Sequence, residues 1–346
     1  MPDDAALSEL QLEINGRRLL EPCLELVIYL DTALDERILE FFDRSMSALG
    51  PQITSYVAEA MKRPAPFDEK AKTLMPTWVR RPRLGKSYYA EFSEADLKGG
   101  TSAASIKVVL IARPTMSHDQ QEAYRASMKQ FYEGAGSIFG PPVTSLRVTI
   151  PLDHPLADPS RFLEWALGLA VARDERFVSG HAGLALNHDE AVSDSALRNA
   201  MEGRLAALCL RHPGLDWDNT GSVQTSLLLW DRALSDFLPR IKRVNWLTLV
   251  SDRALVRLGG RDRLASSLAR DPAIVMHAVS EGVCVQAGPA PQLGDVARHD
   301  FLATYRRVAA ALRPIRLDKH SGMGLGFSDD EAMTWLDGLD RDMSDA

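Results

Sequence analysis

The chain has 346 residues, 45% of them apolar and 25% charged, with a formal net charge of −7; it is an ordinary globular composition, long enough to bury a substantial core. No apolar run approaches the roughly 20 residues needed to span a bilayer, and the start MPDDAALSEL is acidic where a secretory leader needs a basic end and an apolar block. A cytoplasmic protein without membrane contact is expected, and its three scattered cysteines, Cys23, Cys209 and Cys284, argue against a disulfide framework or a zinc site.

Leu10, Leu12 and Ile14 alternate before Asn15-Gly16, a strong two-residue hairpin signal. In the strand beyond it, Leu24, Leu26, Ile28 and Leu30 share one face. Thr32 is placed to cap a helix with an inward stripe of Ile38, Phe42, Met46 and Leu49. From about Met61 to Gly100 prolines interrupt every pattern, and an extended loop with short strands such as Tyr88–Phe92 is expected. Ile106–Ala112 reads as a strand, apolar except for Lys107. Ser117 and Gln120 then have capping-box spacing ahead of a helix presenting Tyr124, Met128 and Phe131.

Leu146, Val148 and Ile150 alternate as a strand, Asp158-Pro159 opens a helix, and Phe177–Leu186 follows as a strand whose Gly180 and Gly183 point to a bulge or close packing. The next helix carries Leu197, Met201, Leu205 and Leu208, and residues 215–240 are ambiguous. Val244–Val250 reads as a buried strand, with Ser251 or Asp252 capping a short helix that ends at Gly259-Gly260. A helix from Asp262 to Arg270, strands at Ile274–Val279 and Val283–Ala287, and an amphipathic helix through Phe301, Tyr305, Val308 and Leu312 complete the pattern. The fold class is therefore α+β, with mixed or antiparallel sheets and helices packed on one side. Residues 1–20 form an acidic N-terminal segment, 20–325 the main body, divisible into two similar units at about 20–150 and 145–325, and 326–346 an acidic helix or tail.

No cofactor motif occurs. Gly134-Ala135-Gly136 follows a helix, so it cannot cradle a phosphate at a helix start, and the acids after Gly322–Gly326 would repel one. His181, His188, Asp189 and Glu190 make the one compact set of ligand-type residues. Seven positions on a strand put the two histidines on opposite faces, so His181 is expected to be packed and His188-Asp189 to lie in a surface loop. A metal-assisted hydrolase using His181, His188 and Asp189 is the catalytic alternative, and a non-catalytic scaffold a third. Arg80, Arg81, Arg83 and Lys86 beside Trp78 and Tyr88 could grip single strands, but the acidic balance favours a solvated loop. Leu215-Asp216-Trp217-Asp218-Asn219 reads as exposed; Trp217 between two carboxylates suits a contact with a basic partner, and Asp216, Trp217 and Asp218 are the candidate partner-binding residues.

The stretch Val244-Asn245-Trp246-Leu247-Thr248-Leu249, then Leu258-Gly259-Gly260, then Ala287-Gly288-Pro289-Ala290-Pro291-Gln292-Leu293-Gly294-Asp295 resembles a bacterial family of type VI secretion immunity proteins associated with VRR-Nuc nuclease toxins. The resemblance extends through Ser179–Leu184 and Tyr305–Arg316, from about residue 20 to 325. It implies a binding protein without catalysis, whose partner is a cognate nuclease effector and not nucleic acid. An acidic antidote suits a DNA-gripping, basic toxin surface.

Overall fold

The computed structural model describes residues 4–49, 52–59, 61, 63–94, 103, 106–135, 140–170, 176–189, 192–217, 223–231, 233–234, 236–317 and 326–340. Thirteen strands are found among them: β1 Leu12–Ile14, β2 Arg17–Leu30, β3 Ser55–Ala58, β4 Ala65–Pro66, β5 Tyr88–Ser93, β6 Lys107–Ala112, β7 Thr144–Pro151, β8 Phe177–His188, β9 Leu228–Asp231, β10 Asp236–Pro239, β11 Leu247–Ser251, β12 Ile274–Val279 and β13 Gly282–Ala287. Eleven join one sheet in the order β12-β13-β11-β8-β2-β7-β6-β5-β3-β4, with β1 also on β2, and every one of these strand pairs is antiparallel. Strands β9 and β10 form a separate hairpin inside the range that sequence left ambiguous. The fold is α+β around a large antiparallel sheet. The ranges 20–150 and 145–325 contribute adjacent blocks of strands to that single sheet, joined where β2 pairs with β7 on one side and β8 on the other.

Local chemistry places the elements. Asn15 and Gly16 adopt φ of 55° and 74°, the left-handed pair a two-residue hairpin requires. The helix Glu36–Leu49 is capped by Asp35, whose Oδ1 accepts from the N–H groups of Arg37 and Ile38 at 3.1 and 3.2 Å. Thr32, the expected cap, instead hydrogen-bonds Asp35 and Thr144. Ser117 and Gln120 form the expected reciprocal box ahead of His118–Ala135. Residues 61–94 hold more regular structure than expected, with helices Glu69–Lys72 and Leu74–Arg80 before β5. There, Arg83 pairs with Glu59 and lies 4.8 Å over the Tyr88 ring, itself beside Trp78.

The antiparallel register sorts side chains between two faces of the sheet. On one face Phe92, Val108, Val148, Leu26, Ala182 and Leu247 stand in a continuous apolar row across β5, β6, β7, β2, β8 and β11. The helices Glu36–Leu49 and Pro159–Ala170 cover this face, with Phe42 4.6 Å from Phe92 and Phe162 6.2 Å from Trp246 between ring centres. Gly180 supplies the close packing expected of it: a Cβ there would stand 2.7 Å from the Val27 carbonyl oxygen. The opposite face is covered as well, since every residue of β8 is buried.

The three cysteines are buried and free. Burial raises the thiols of Cys23 and Cys209 and pushes that of Cys284 up to about 12. The acidic C-terminal segment is in part a packed element. Ser328 and Glu331 cap Asp329–Leu336, and Trp335, Leu336 and Leu339 are buried. Arg316 reaches both Asp337 and Asp340.

Candidate functional site: a buried polar layer

The second face of the sheet is polar yet enclosed. One register row runs Ser55, Ser93, Lys107, Thr149, Glu25, Gly183, and the next runs Val57, Glu91, Val109, Arg147, Val27, His181, Thr248. Lys107, Thr149 and Thr248 have no solvent exposure, and Glu25, Glu91, Arg147 and His181 are all below 7%. Burying such groups is costly unless they are paired. Arg147 Nε lies 2.8 Å from Glu25 Oε2, Lys107 Nζ donates to the His188 carbonyl at 3.0 Å, and Gln224 Nε2 donates to Ser145 Oγ at 3.0 Å.

The densest part of the layer gathers around Asp216. Its backbone lies along β8: the Asp216 N–H donates to the Leu184 carbonyl at 2.8 Å, and its own carbonyl accepts from Leu186 at 3.3 Å. That places the carboxylate beside the segment Ile241–Trp246. Lys242 Nζ is 2.8 Å from Asp216 Oδ1, Asn245 donates to Oδ2, and His181 Nε2 stands 3.3 Å from both Oδ2 and Lys242 Nζ. Lys242 also donates to the Trp217 carbonyl at 3.2 Å. Trp335 roofs the cluster: its ring centre is 5.6 Å from Lys242 Nζ and 4.5 Å from the Arg243 guanidinium carbon, and its Nε1 donates to the Leu215 carbonyl at 3.3 Å. Arg243 donates to the Leu215 and Pro213 carbonyls at 3.1 and 2.7 Å. Burial lowers the pKa of that guanidinium, against the nearby Asp216 charge, which raises it.

This geometry corrects two expectations. Asp216 and Trp217 are 1% and 2% exposed, so they are not a surface contact segment; Asp218 lies outside the described residues. Trp217 stacks on Phe327 at 5.8 Å, and the Asp216 charge is matched internally by Lys242. The flanking acids that made this segment look exposed could not reveal a cation 26 residues away.

The catalytic alternative fares no better. His181 sits in the Asp216 cluster, whereas His188 ends β8 seven residues along, roughly 23 Å away at strand rise; His188 and Asp189 are buried and not in the surface loop expected of them, and Asp189 pairs with Arg17 at 2.6 Å. The structure does not bring the three together, and Glu190 lies outside the described residues. Among the described residues no group of three or more His, Cys, Asp or Glu side chains is arranged to hold a metal. His181, Asp216 and Lys242 do form an acid–base array, and it is buried, with Trp335 packed over Lys242. Cavities of about 560 and 470 Å³ lie elsewhere, one beside Arg18, Glu21 and His154, the other beside Arg306, Arg307 and Arg313.

The surface offers a different feature. The outer face of Glu36–Leu49 carries exposed Glu36, Glu40 and Asp43, with Arg44 paired to Glu40 at 2.6 Å, around a shallow depression of about 600 Å³ lined also by Leu39 and Ala48. The first turn of Asp329–Leu336 presents exposed Asp329, Asp330 and Glu331. No helix among the described residues is long and apolar enough to cross a membrane.

Comparison with known proteins places the fold and the family. The chain is similar to the solved structure of the Pseudomonas aeruginosa T6SS protein PA0821, with a TM-score of 0.71 and 21% identity over 99% of this chain and 93% of that one, a likeness of fold. No curated protein sequence matches it. The family profile TsiV, described as type VI immunity for VRR-NUC, matches residues 95–337, a span that includes β6 to β13 and the whole Asp216 cluster. The chain therefore belongs to the TsiV family of type VI immunity proteins for VRR-NUC.

Proposed function

We propose that this protein binds a VRR-Nuc nuclease toxin and blocks it by covering the toxin's active site, protecting the cell that makes both. The observation that carries this reading is the family match over residues 95–337. Two physical features support it. The chain is acidic overall, with a net charge of −7, and its exposed carboxylates at Glu36, Glu40 and Asp43 and at Asp329, Asp330 and Glu331 suit a surface built to hold DNA phosphates. Its buried acid–base groups are consumed by packing, which leaves the surface as the part able to meet a partner.

Inhibition of this kind needs association and no bond-breaking step. A cognate interface would bury on the order of 1,200–2,000 Å² in total. Opposite charge would speed encounter and make it salt-dependent. The setting is the cytoplasm, where a nuclease would reach DNA. Co-expression with the cognate toxin tests the reading: cells carrying both genes should survive and the two proteins should co-purify. Toxin-poisoned cells that stay unrescued by folded protein would refute it.

A further inference from the structure

The two ends of the large sheet are built differently. The β4 end is two residues long and contains Pro66, the usual means of blunting an edge. The β12 end is a regular six-residue strand, Ile274-Val275-Met276-His277-Ala278-Val279, with no charge, no proline and no irregularity against β13. Val275 is 44% exposed, and Ala278 is exposed as well.

The hydrogen-bond alternation fixes which backbone groups this edge offers. The Gly288 N–H donates to the Ala273 carbonyl at 3.0 Å, so Ala273 and Gly288 are a bonded pair. Continuing along the register, Val275, His277 and Val279 turn their backbone groups toward β13, while Ile274, Met276 and Ala278 turn theirs outward. Ile274 uses its N–H on the Asp271 carbonyl at 3.0 Å. Among the described residues, the outward N–H groups of Met276 and Ala278 and the carbonyls of Ile274, Met276 and Ala278 meet no partner.

We infer that this edge pairs with the same edge of a second copy of this chain, antiparallel about a two-fold axis at Met276, making one sheet continuous across a homodimer. The strand is complementary to itself in that register. Met276 meets Met276 of the other copy, Ile274 meets the smaller Ala278, and Val275 meets His277. No like charges oppose within the strand, and an isologous contact of this kind closes on itself rather than growing into a fibre. Each Met276 N–H finds the other copy's Met276 carbonyl, and each Ala278 N–H finds an Ile274 carbonyl, giving four new backbone bonds. Just beyond the strand, Asp271 approaches Glu281 of the other copy, but each has an arginine at hand: Arg307 pairs with Asp271, and Arg261 feels the charge of Glu281. Six residues a side make a small interface, so the dimer is weak, with a dissociation constant on the order of 10 µM.

Sedimentation of the purified full chain from about 1 to about 200 µM, spanning that constant, tests this without the toxin. The mass should rise with concentration from 38.2 kDa toward twice that value. Met276→Pro removes only an outward N–H, and Ala278→Lys adds the charge that edges commonly carry. Both should hold the chain monomeric throughout, while Val256→Lys, at another exposed apolar position, leaves dimerisation unchanged. If Met276→Pro unfolds by circular dichroism, Ala278→Lys decides. A wild-type chain that stays monomeric across the range overturns the inference, as do edge variants that dimerise like wild type. An edge whose variants lose toxin binding in a wild type that never dimerises would belong to the toxin instead.

Discussion

The two faces of the central sheet bury comparable lengths of strand by opposite means. One face fills its space with Phe92, Val148, Leu26 and Leu247, where area removed from water stabilises at about 25 cal/mol per Å² with no demand on direction. The other holds Lys107, Glu25, Arg147, His181, Asp216 and Lys242, where each group is tolerated only while its partner is in place. Damage to the first face should therefore scale with the volume removed. Damage to the second should depend on whether one partner is removed or both.

The sharpest break in that comparison is Lys242→Met. It strands Asp216 without its cation and should cost about 3–5 kcal/mol in urea unfolding; adding Asp216→Leu should recover a substantial part of the loss. If the double variant is as unstable as the two single losses added together, the pair is not coupled as the geometry requires. On the apolar face, Phe92→Ala should cost about 3–5 kcal/mol, because the ring touches Phe42 and Phe67 across 4.6 and 5.8 Å, and no second substitution nearby should restore it except by refilling the volume. Gly180→Ala is a milder overpacking test. Its Cβ meets the Val27 carbonyl at 2.7 Å, where backbone must shift, and about 1–3 kcal/mol should be lost. Smallest is Thr149→Val. Its buried hydroxyl has no hydrogen-bond partner among the described residues, so the substitution should be neutral or stabilising by up to about 1 kcal/mol. A clear loss of stability would mean that this hydroxyl is satisfied after all.

The apolar face was legible in the sequence because its signal is local. Alternation at Leu24, Leu26 and Ile28, the Asn15-Gly16 turn and the Ser117/Gln120 spacing each lie within a few residues, and the strands and helices they announce are present. The polar face was not legible. Lys107 in an otherwise apolar strand, or Asp216 and Asp218 flanking Trp217, are patterns that ordinarily face water. The burial of Lys107 and Asp216 depends on partners supplied from distant parts of the chain: His188 for Lys107, Lys242 for Asp216, with Trp335 over Lys242 and Arg243. The one available hint was the basic run Arg240–Arg243 entering the apolar Val244–Val250, an unusual place for charge unless carboxylates and carbonyls wait inside. The family was readable from glycine, proline, tryptophan and leucine positions that set the fold, which is why it carried no site residue with it.

The most direct measurement of the central claim is a titration of the cognate toxin's DNA cleavage with this protein. Cleavage should fall in proportion to added protein and vanish near one equivalent, with the required excess growing as salt is raised. Undiminished cleavage at a large molar excess of folded protein, with both proteins intact, would contradict the account.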